Sequence, residues 1–149
     1  MAERQQLVKC PPHQVWKVLA NGESYAQWVV GTQEILHADP VWPAVDAELR
    51  FRAGIGPLHF EDSCIVRVCE PEHRLELEAE AHPFGTARIA FTLLPWSVDT
   101  LVLLDEHPLR GPGARLQGPL SEFLLHVRNR RVLGNLARVA VSGPGTDPR

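Results

Sequence analysis

The segment Leu75-Glu76-Leu77-Glu78-Ala79-Glu80-Ala81 decides the fold. Leu75, Leu77, Ala79 and Ala81 alternate with Glu76, Glu78 and Glu80, a period of two. In an extended chain this sends the apolar side chains to one side and the carboxylates to the other. A sheet with one dry and one solvated face is antiparallel, because parallel sheets are covered on both faces.

The same pattern extends in both directions. Towards the N-terminus, Glu70-Pro71-Glu72-His73 is a turn. Before it, Leu58 to Cys69 carries Leu58, Phe60, Cys64, Val66 and Val68 on one face, with Asp62 on that same apolar face. Gly54-Ile55-Gly56-Pro57 is another turn, and Ala47, Leu49, Phe51 and Ala53 alternate with Glu48, Arg50 and Arg52. Towards the C-terminus, Pro83-Phe84-Gly85 reverses the chain, and Ala87, Ile89, Phe91 and Leu93 form the next inward set. Pro95 to Ser97 turns it again. Thr100 to His107 is a further strand, apolar on both faces until Asp105.

Helical signals flank the strands. Gln5 to Cys10 reads as a short edge strand, ended by Pro11-Pro12. From His13, the stripe of Val15, Trp16 and Leu19 predicts a helix that Asn21-Gly22 ends, with Gly22 in a left-handed conformation. Glu23 to Trp28 is a second short helix, with Tyr25 and Trp28 on one face. Residues 108 to 119 read as a Pro/Gly loop. Pro119 then opens a long helix to about Val141, favoured at its start by Glu122. Its apolar positions are Leu120, Phe123, Leu124, Val127, Leu133, Leu136, Ala137 and Ala140. Ser142-Gly143-Pro144-Gly145 stops it, and residues 143–149 are expected to be a disordered tail. The expected architecture is α+β. A curved antiparallel sheet of six to seven strands wraps around one long C-terminal helix, with two short helices near the N-terminus, in a single domain over residues 1–142.

Composition narrows the function classes. A chain of 149 residues with 44% hydrophobic residues suits one domain with a packed core. The formal net charge of −3 argues against nucleic acid as the main partner, since phosphate binding needs a clustered basic surface. The stretch Arg128 to Arg131 has no aromatic platform or second basic run beside it. No apolar run approaches the ~18 residues of a membrane span. The N-terminal residues lack the pattern of a secretory signal. Three cysteines (Cys10, Cys64 and Cys69) form no disulfide framework, so a cytoplasmic protein is expected.

The order of parts resembles the START-like helix-grip superfamily, SRPBCC, and within it the polyketide cyclase/dehydrase-like branch. Pro12 to Leu19, with its Val15-Trp16 pair, is similar to the family's first helix, and Tyr25-Ala26-Gln27-Trp28 to its second. Pro43 to Glu48 followed by Phe51 resembles the lead-in to the next strand. Cys69-Glu70-Pro71-Glu72-His73-Arg74-Leu75 resembles the Glu-Pro hairpin, and Arg128 to Leu136 the final helix. The resemblance spans roughly residues 5 to 141. It implies a cavity between the long helix and the inner sheet face, but no catalytic signature, because one fold hosts many functions.

Three positions are candidates for chemistry. Asp62 either points into the cavity as a general acid or base, or a strand bulge turns it to solvent, the commoner outcome beside Glu61 and Ser63. His107 shares parity with Leu101, Leu103 and Asp105. It either faces the cavity mouth, where a His–carboxylate pair could move protons, or sits at a solvated strand end beside Glu106. Arg130 shares a helix face with His126. Turned inward it could hold a carboxylate or enolate; turned outward, the commoner case, it joins a solvated basic patch. Trp28, Phe51, Phe60, Phe91, Phe123 and Val127 are candidates to line the cavity or to pack the core.

No metal site is expected. Cys64 and Cys69, five apart on one strand, would face opposite ways, and no paired Cys or His spacing occurs. No cofactor is expected either, since neither a phosphate-binding Gly loop nor a Gly-x-Ser-x-Gly elbow is present.

Three functions follow from this reading. The first is binding of a small hydrophobic ligand (lipid, polyketide or isoprenoid-like). The second is a polyketide cyclase or dehydratase using Asp62, His107 and Arg130. The third is an interaction module without a ligand. A homodimer is compatible with each.

Overall fold

The computed structural model describes residues 2–55, 57–80, 85–110 and 119–142. In chain order the elements are β1 (Ala2–Val8), α1 (Pro12–Leu19), a 3-10 turn (Gly22–Ser24), α2 (Tyr25–Trp28), β2 (Thr32–Ala38), β3 (Glu48–Ile55), β4 (Leu58–Glu70), β5 (Arg74–Glu80), β6 (Thr86–Trp96), β7 (Asp99–Arg110) and α3 (Pro119–Ser142). The seven strands form one curved antiparallel sheet in the order β1-β7-β6-β5-β4-β3-β2. This is the expected α+β architecture. Pro83, Phe84, residues 111–118 and the tail 143–149 lie outside the described residues.

The Leu/Glu alternation of β5 works as the sequence predicts. Leu75 and Leu77 are buried, and Glu76 and Glu78 lie on the opposite face. That outer face is laced with ion pairs. Glu76 takes Arg74 and Arg88, Arg67 meets Glu78 at 3.3 Å, and Arg52 meets Glu34 at 2.7 Å. Burial pushes the Glu76 carboxyl up, but the hydrogen bonds and charges of Arg74 and Arg88 outweigh it and hold the group below the usual carboxylate range.

The core gathers where α1, α2 and α3 meet the inner face. Val15, Val18 and Leu19 of α1 are fully buried. On α3, Leu133, Leu136 and Ala140 are buried as expected, and so is Val132. The side chains of 119–129, Phe123 and Val127 among them, lie outside the described ones. Tyr25 stacks tilted on Trp28 at 4.5 Å and edge-on to Trp42 at 5.6 Å, and Trp28 meets Phe91 edge-on at 5.7 Å. Each buried polar tip has a partner there, as burial requires. Tyr25 Oη donates to the Leu19 carbonyl at 2.8 Å, Trp42 Nε1 donates to the same carbonyl at 3.1 Å, and Trp28 Nε1 donates to Ser24 Oγ at 3.2 Å. Asn135 Nδ2 ties α3 to the Trp28 carbonyl at 3.3 Å.

Several expectations are corrected. A register shift between Val66 and Val68 inserts a bulge in β4. Beyond it Val68 pairs with outward Glu76, and Cys69 pairs with inward Leu75. Cys64 and Cys69 therefore share the inner face, because the extra residue reverses parity. Gly22 is not left-handed; it is needed for space. A Cβ there would come within 3.0 Å of Leu49 Cδ1 and 3.1 Å of Ala38 Cβ, so the turn before α2 rests directly on β2 and β3. Strand β6 runs through Pro95 to Trp96, paired Pro95 to Thr100, and the tight turn is Ser97-Val98 with Ser97 at φ 61°. Strand β1 occupies residues 2–8 rather than 5–10. Strand β2 is an edge strand with two register shifts, so its burial does not alternate.

Candidate ligand site

The inner face is defined by cross-strand pairing. Phe51 pairs with Ile35 on one side and Asp62 on the other. Cys64, Ala79 and Ala87 form one row, and Val66, Leu77, Ile89 and Glu106 the next. Leu75, Phe91, Leu104 and Arg4 form a third. These rows line one concave surface, because side chains of paired residues share a face.

Burial along that surface changes in one direction on every central strand. On β3, Leu49 is buried, while Phe51 and Ala53 are half-buried. On β4, Val66 and Cys64 are buried and Phe60 is 36% exposed. On β5 the order is Leu75 and Leu77, buried, then Ala79, half-buried; on β6 it is Leu93 and Phe91, buried, then Ile89 and Ala87, half-buried. The helical cluster closes one end of the concavity. Towards the β3–β4 and β5–β6 turns, inward apolar side chains keep access to solvent. Phe51, Ala79 and Ile89 pack against the core on one side and keep partial access to solvent on the other.

Two carboxylates belong to this wall. Asp62 is only 5% exposed and lies on the face of Cys64 and Val66. The register of β3 and β4 is unbroken from Glu48 to Leu58, and the bulge of β4 falls beyond Val66, so it does not turn Asp62 to solvent. Glu106 is 8% exposed and pairs with Ile89. Sequence parity offers His107 as a candidate for this wall, beside the alternative of a solvated strand end. In the structure Thr100, Val102, Leu104 and Glu106 are the inward residues of β7. The strand itself carries no deciding signal, because both parities of Leu101 to Leu104 are apolar and only the register with β6 chooses between them. Arg4 and Gln6, half-buried on β1, share the inner parity.

The other candidates are elsewhere. His107 is on the outer face, with Nε2 hydrogen-bonded to Asp105 Oδ2 at 2.9 Å and Arg88 opposite. Arg130 is exposed on α3. The three residues proposed for catalysis are thus not brought together. Trp28 and Phe91 sit in the buried aromatic cluster, and Phe51 and Phe60 sit at the more open end. Cys64 is buried beside Glu48, and its thiol is pushed up to about 12 by burial and then by that charge, which removes it as a nucleophile near neutral pH. Among the described residues no group of three or more His, Cys, Asp or Glu could hold a metal ion, and no helix is long and apolar enough to cross a membrane. A groove of about 460 Å³ has Glu3, Arg4 and Gln5 of β1 as its described lining.

A curved antiparallel sheet around a C-terminal helix, with a half-open apolar inner wall, defines a helix-grip protein. Residues 8–137 match the family model for polyketide cyclase / dehydrase and lipid transport, and the chain belongs to that family. Solved structures share the fold. Protein MLL2253 from Mesorhizobium loti is 18% identical over 98% of both chains, with a TM-score of 0.69. Ara h 8.0201 is 8% identical, with 95% of this chain and 97% of that one covered and a TM-score of 0.72. DynU16, a protein in the dynemicin biosynthetic locus, is 20% identical with a TM-score of 0.69; the match covers 96% of this chain but 48% of DynU16, so this chain spans about half its length. At these identities the likeness is one of fold. No curated protein sequence matches the chain.

Proposed function

We propose that this protein binds a small hydrophobic ligand, lipid, polyketide or isoprenoid-like, in the concavity between the sheet and α3. The observation that carries the reading is the one-directional loss of burial along the inward apolar residues of β3 to β6. Phe51, Phe60 and Ile89 keep solvent access on the concave side, which supports a ligand-lining role. Apolar walls supply affinity, and a few polar groups set orientation. The free thiols of Cys10, Cys64 and Cys69 suit a reducing compartment such as the cytoplasm.

A second reading, a cyclase or dehydratase, is favoured by the burial of Asp62 and Glu106 within that wall. A placed carboxylate can take a proton from an acidic carbon or hydroxyl, and a shaped wall can fold a flexible substrate. In this reading Asp62 is the acid/base residue. The presence of DynU16 in a biosynthetic locus fits either reading.

Native mass spectrometry of the purified protein, followed by denaturing extraction, is the first test. A co-purified apolar compound supports the proposal and names a class to assay for turnover. Titration with the neutral probe N-phenyl-1-naphthylamine completes it. Saturable binding is expected, and Phe51→Arg should weaken it at least tenfold. An empty protein that also fails to bind the probe overturns the reading.

A further inference from the structure

We propose that the outer face of α3 is a docking surface for an anionic lipid bilayer. The proposal stands apart from the ligand-binding reading, since it concerns the outside of the helix and not the concavity.

The charge of this helix runs against that of the chain. Pro119–Ser142 holds four arginines, Arg128, Arg130, Arg131 and Arg138, against one carboxylate, Glu122, in a protein of net charge −3. On the sheet, Arg52, Arg67, Arg74 and Arg88 each hold a glutamate. Arg130, Arg131 and Arg138 are exposed and have no ion-pair partner among the described residues.

These arginines share one side of the helix. With 3.6 residues per turn, Arg130, Arg131, Gly134, Arg138 and Val141 fall within about a third of its circumference. All five are exposed, while Val132, Leu133, Leu136 and Ala140 on the far side are buried. Val141 is 50% exposed, and a Cβ at Gly134 would meet nothing within 4 Å, so nothing among the described residues covers the middle of this face. Lys17 of α1 is also exposed, one turn from Gln14, whose Nε2 donates to the Ala140 carbonyl at 2.6 Å. That places a further cation near the C-terminal end of α3.

The periodicity continues towards the start of the helix. Leu120, Phe123, Leu124 and Val127 share the arc of Arg130, Gly134 and Arg138, about half a turn from the arc of Leu133, Leu136 and Ala140. One face of α3 is thus apolar in its first half and cationic in its second.

This composition selects the partner. A guanidinium presents planar, paired donors that match phosphate oxygens. A soluble polyanion satisfies the arginines but leaves the apolar half in water. A bilayer with anionic headgroups takes both, with phosphates against the arginines and the acyl boundary against the apolar turns, as interfacial helices bind.

The test is co-sedimentation of the full chain with vesicles of phosphatidylcholine alone and of an equimolar mixture with phosphatidylglycerol. The wild type should pellet with the anionic vesicles only, and less as salt is raised. Arg130→Gln, Arg131→Gln and Arg138→Gln should each weaken binding about fivefold, and the triple variant about a hundredfold. These side chains are exposed, so the melting temperature should not change. Phe123→Ser should weaken binding about tenfold at unchanged charge. Failure of the wild type to bind anionic vesicles overturns the proposal, as does binding that survives the triple substitution. Retention on immobilised poly-L-glutamate without vesicle binding overturns the bilayer and assigns the face to an acidic protein. If Phe123→Ser abolishes binding of N-phenyl-1-naphthylamine and leaves vesicle binding intact, Phe123 belongs to the ligand recess and the apolar half of the surface is overturned.

Discussion

The closed and open ends of one concave surface use the same strands for opposite purposes. At the closed end, Leu49, Leu75, Leu93 and Val102 are at most 1% exposed beneath α1, α2 and α3. Their polar neighbours are satisfied internally, as in Thr100 Oγ1 donating to the Cys10 carbonyl at 2.8 Å. Two to four residues further along the same strands, the inward side chains become Phe51, Ala79, Ile89 and Glu106. Apolar groups there keep solvent access, and carboxylates enter the wall. The periodicity of a strand is identical at both ends. What differs is the cover, and the cover decides whether an inward residue contributes to stability or to binding.

The largest effect should come from the closed end. Trp28→Ala removes the ring that meets Tyr25 and Phe91, and it should cost about 3–5 kcal/mol in chemical denaturation. An equally large loss from Phe51→Ala would erase the contrast between the ends. Phe51→Ala is instead expected to cost about 1 kcal/mol of stability while weakening probe binding about tenfold, since its ring is only half-buried.

Gly22→Ala probes the seam between the helical cap and the sheet. Its added methyl would press on Leu49 and Ala38 and should cost about 1–2 kcal/mol without altering ligand affinity. A neutral outcome would show that the cap gives way more easily than the contact distances suggest.

Smaller effects depend on pH. The Glu76 carboxyl is held below its ordinary 4.5, so its stabilisation is present above that value and is lost as pH falls through the folded value. Glu76→Gln should flatten the decline of melting temperature below about pH 4.5. Cys64 shifts the other way. Its contribution is complete below pH 9.0 and is lost as pH rises from there towards about 12, because the unfolded thiol ionises first. Cys64→Ala should lower stability at neutral pH but lessen the alkaline decline. Tyr25, also raised by burial, adds to the alkaline loss.

Much of this molecule was legible in the chain. The Leu/Glu alternation of residues 75–80, the turn at 70–73 and the Pro119 helix start all produced the elements they predicted. These signals are local, since period and turn chemistry depend on neighbours in sequence. Asp62 was visible as a carboxylate on an apolar parity, but its direction depended on where the β4 bulge fell, and that is set by pairing with β5. Glu106 was hidden behind His107 because β7 is apolar on both faces, so only its pairing with β6 revealed the inward set.

The sequence by itself determined the number, kind and order of the elements, and with them the membership of the chain in the polyketide cyclase / dehydrase and lipid transport family. Tertiary structure alone decided which parity faces the concavity, which inward residues are covered, and that Asp62 and Glu106 share a wall that His107 and Arg130 do not. The reason is physical. Periodicity is a property of one strand, whereas side-chain direction past a bulge and residual exposure depend on register with neighbouring strands and on what packs above them.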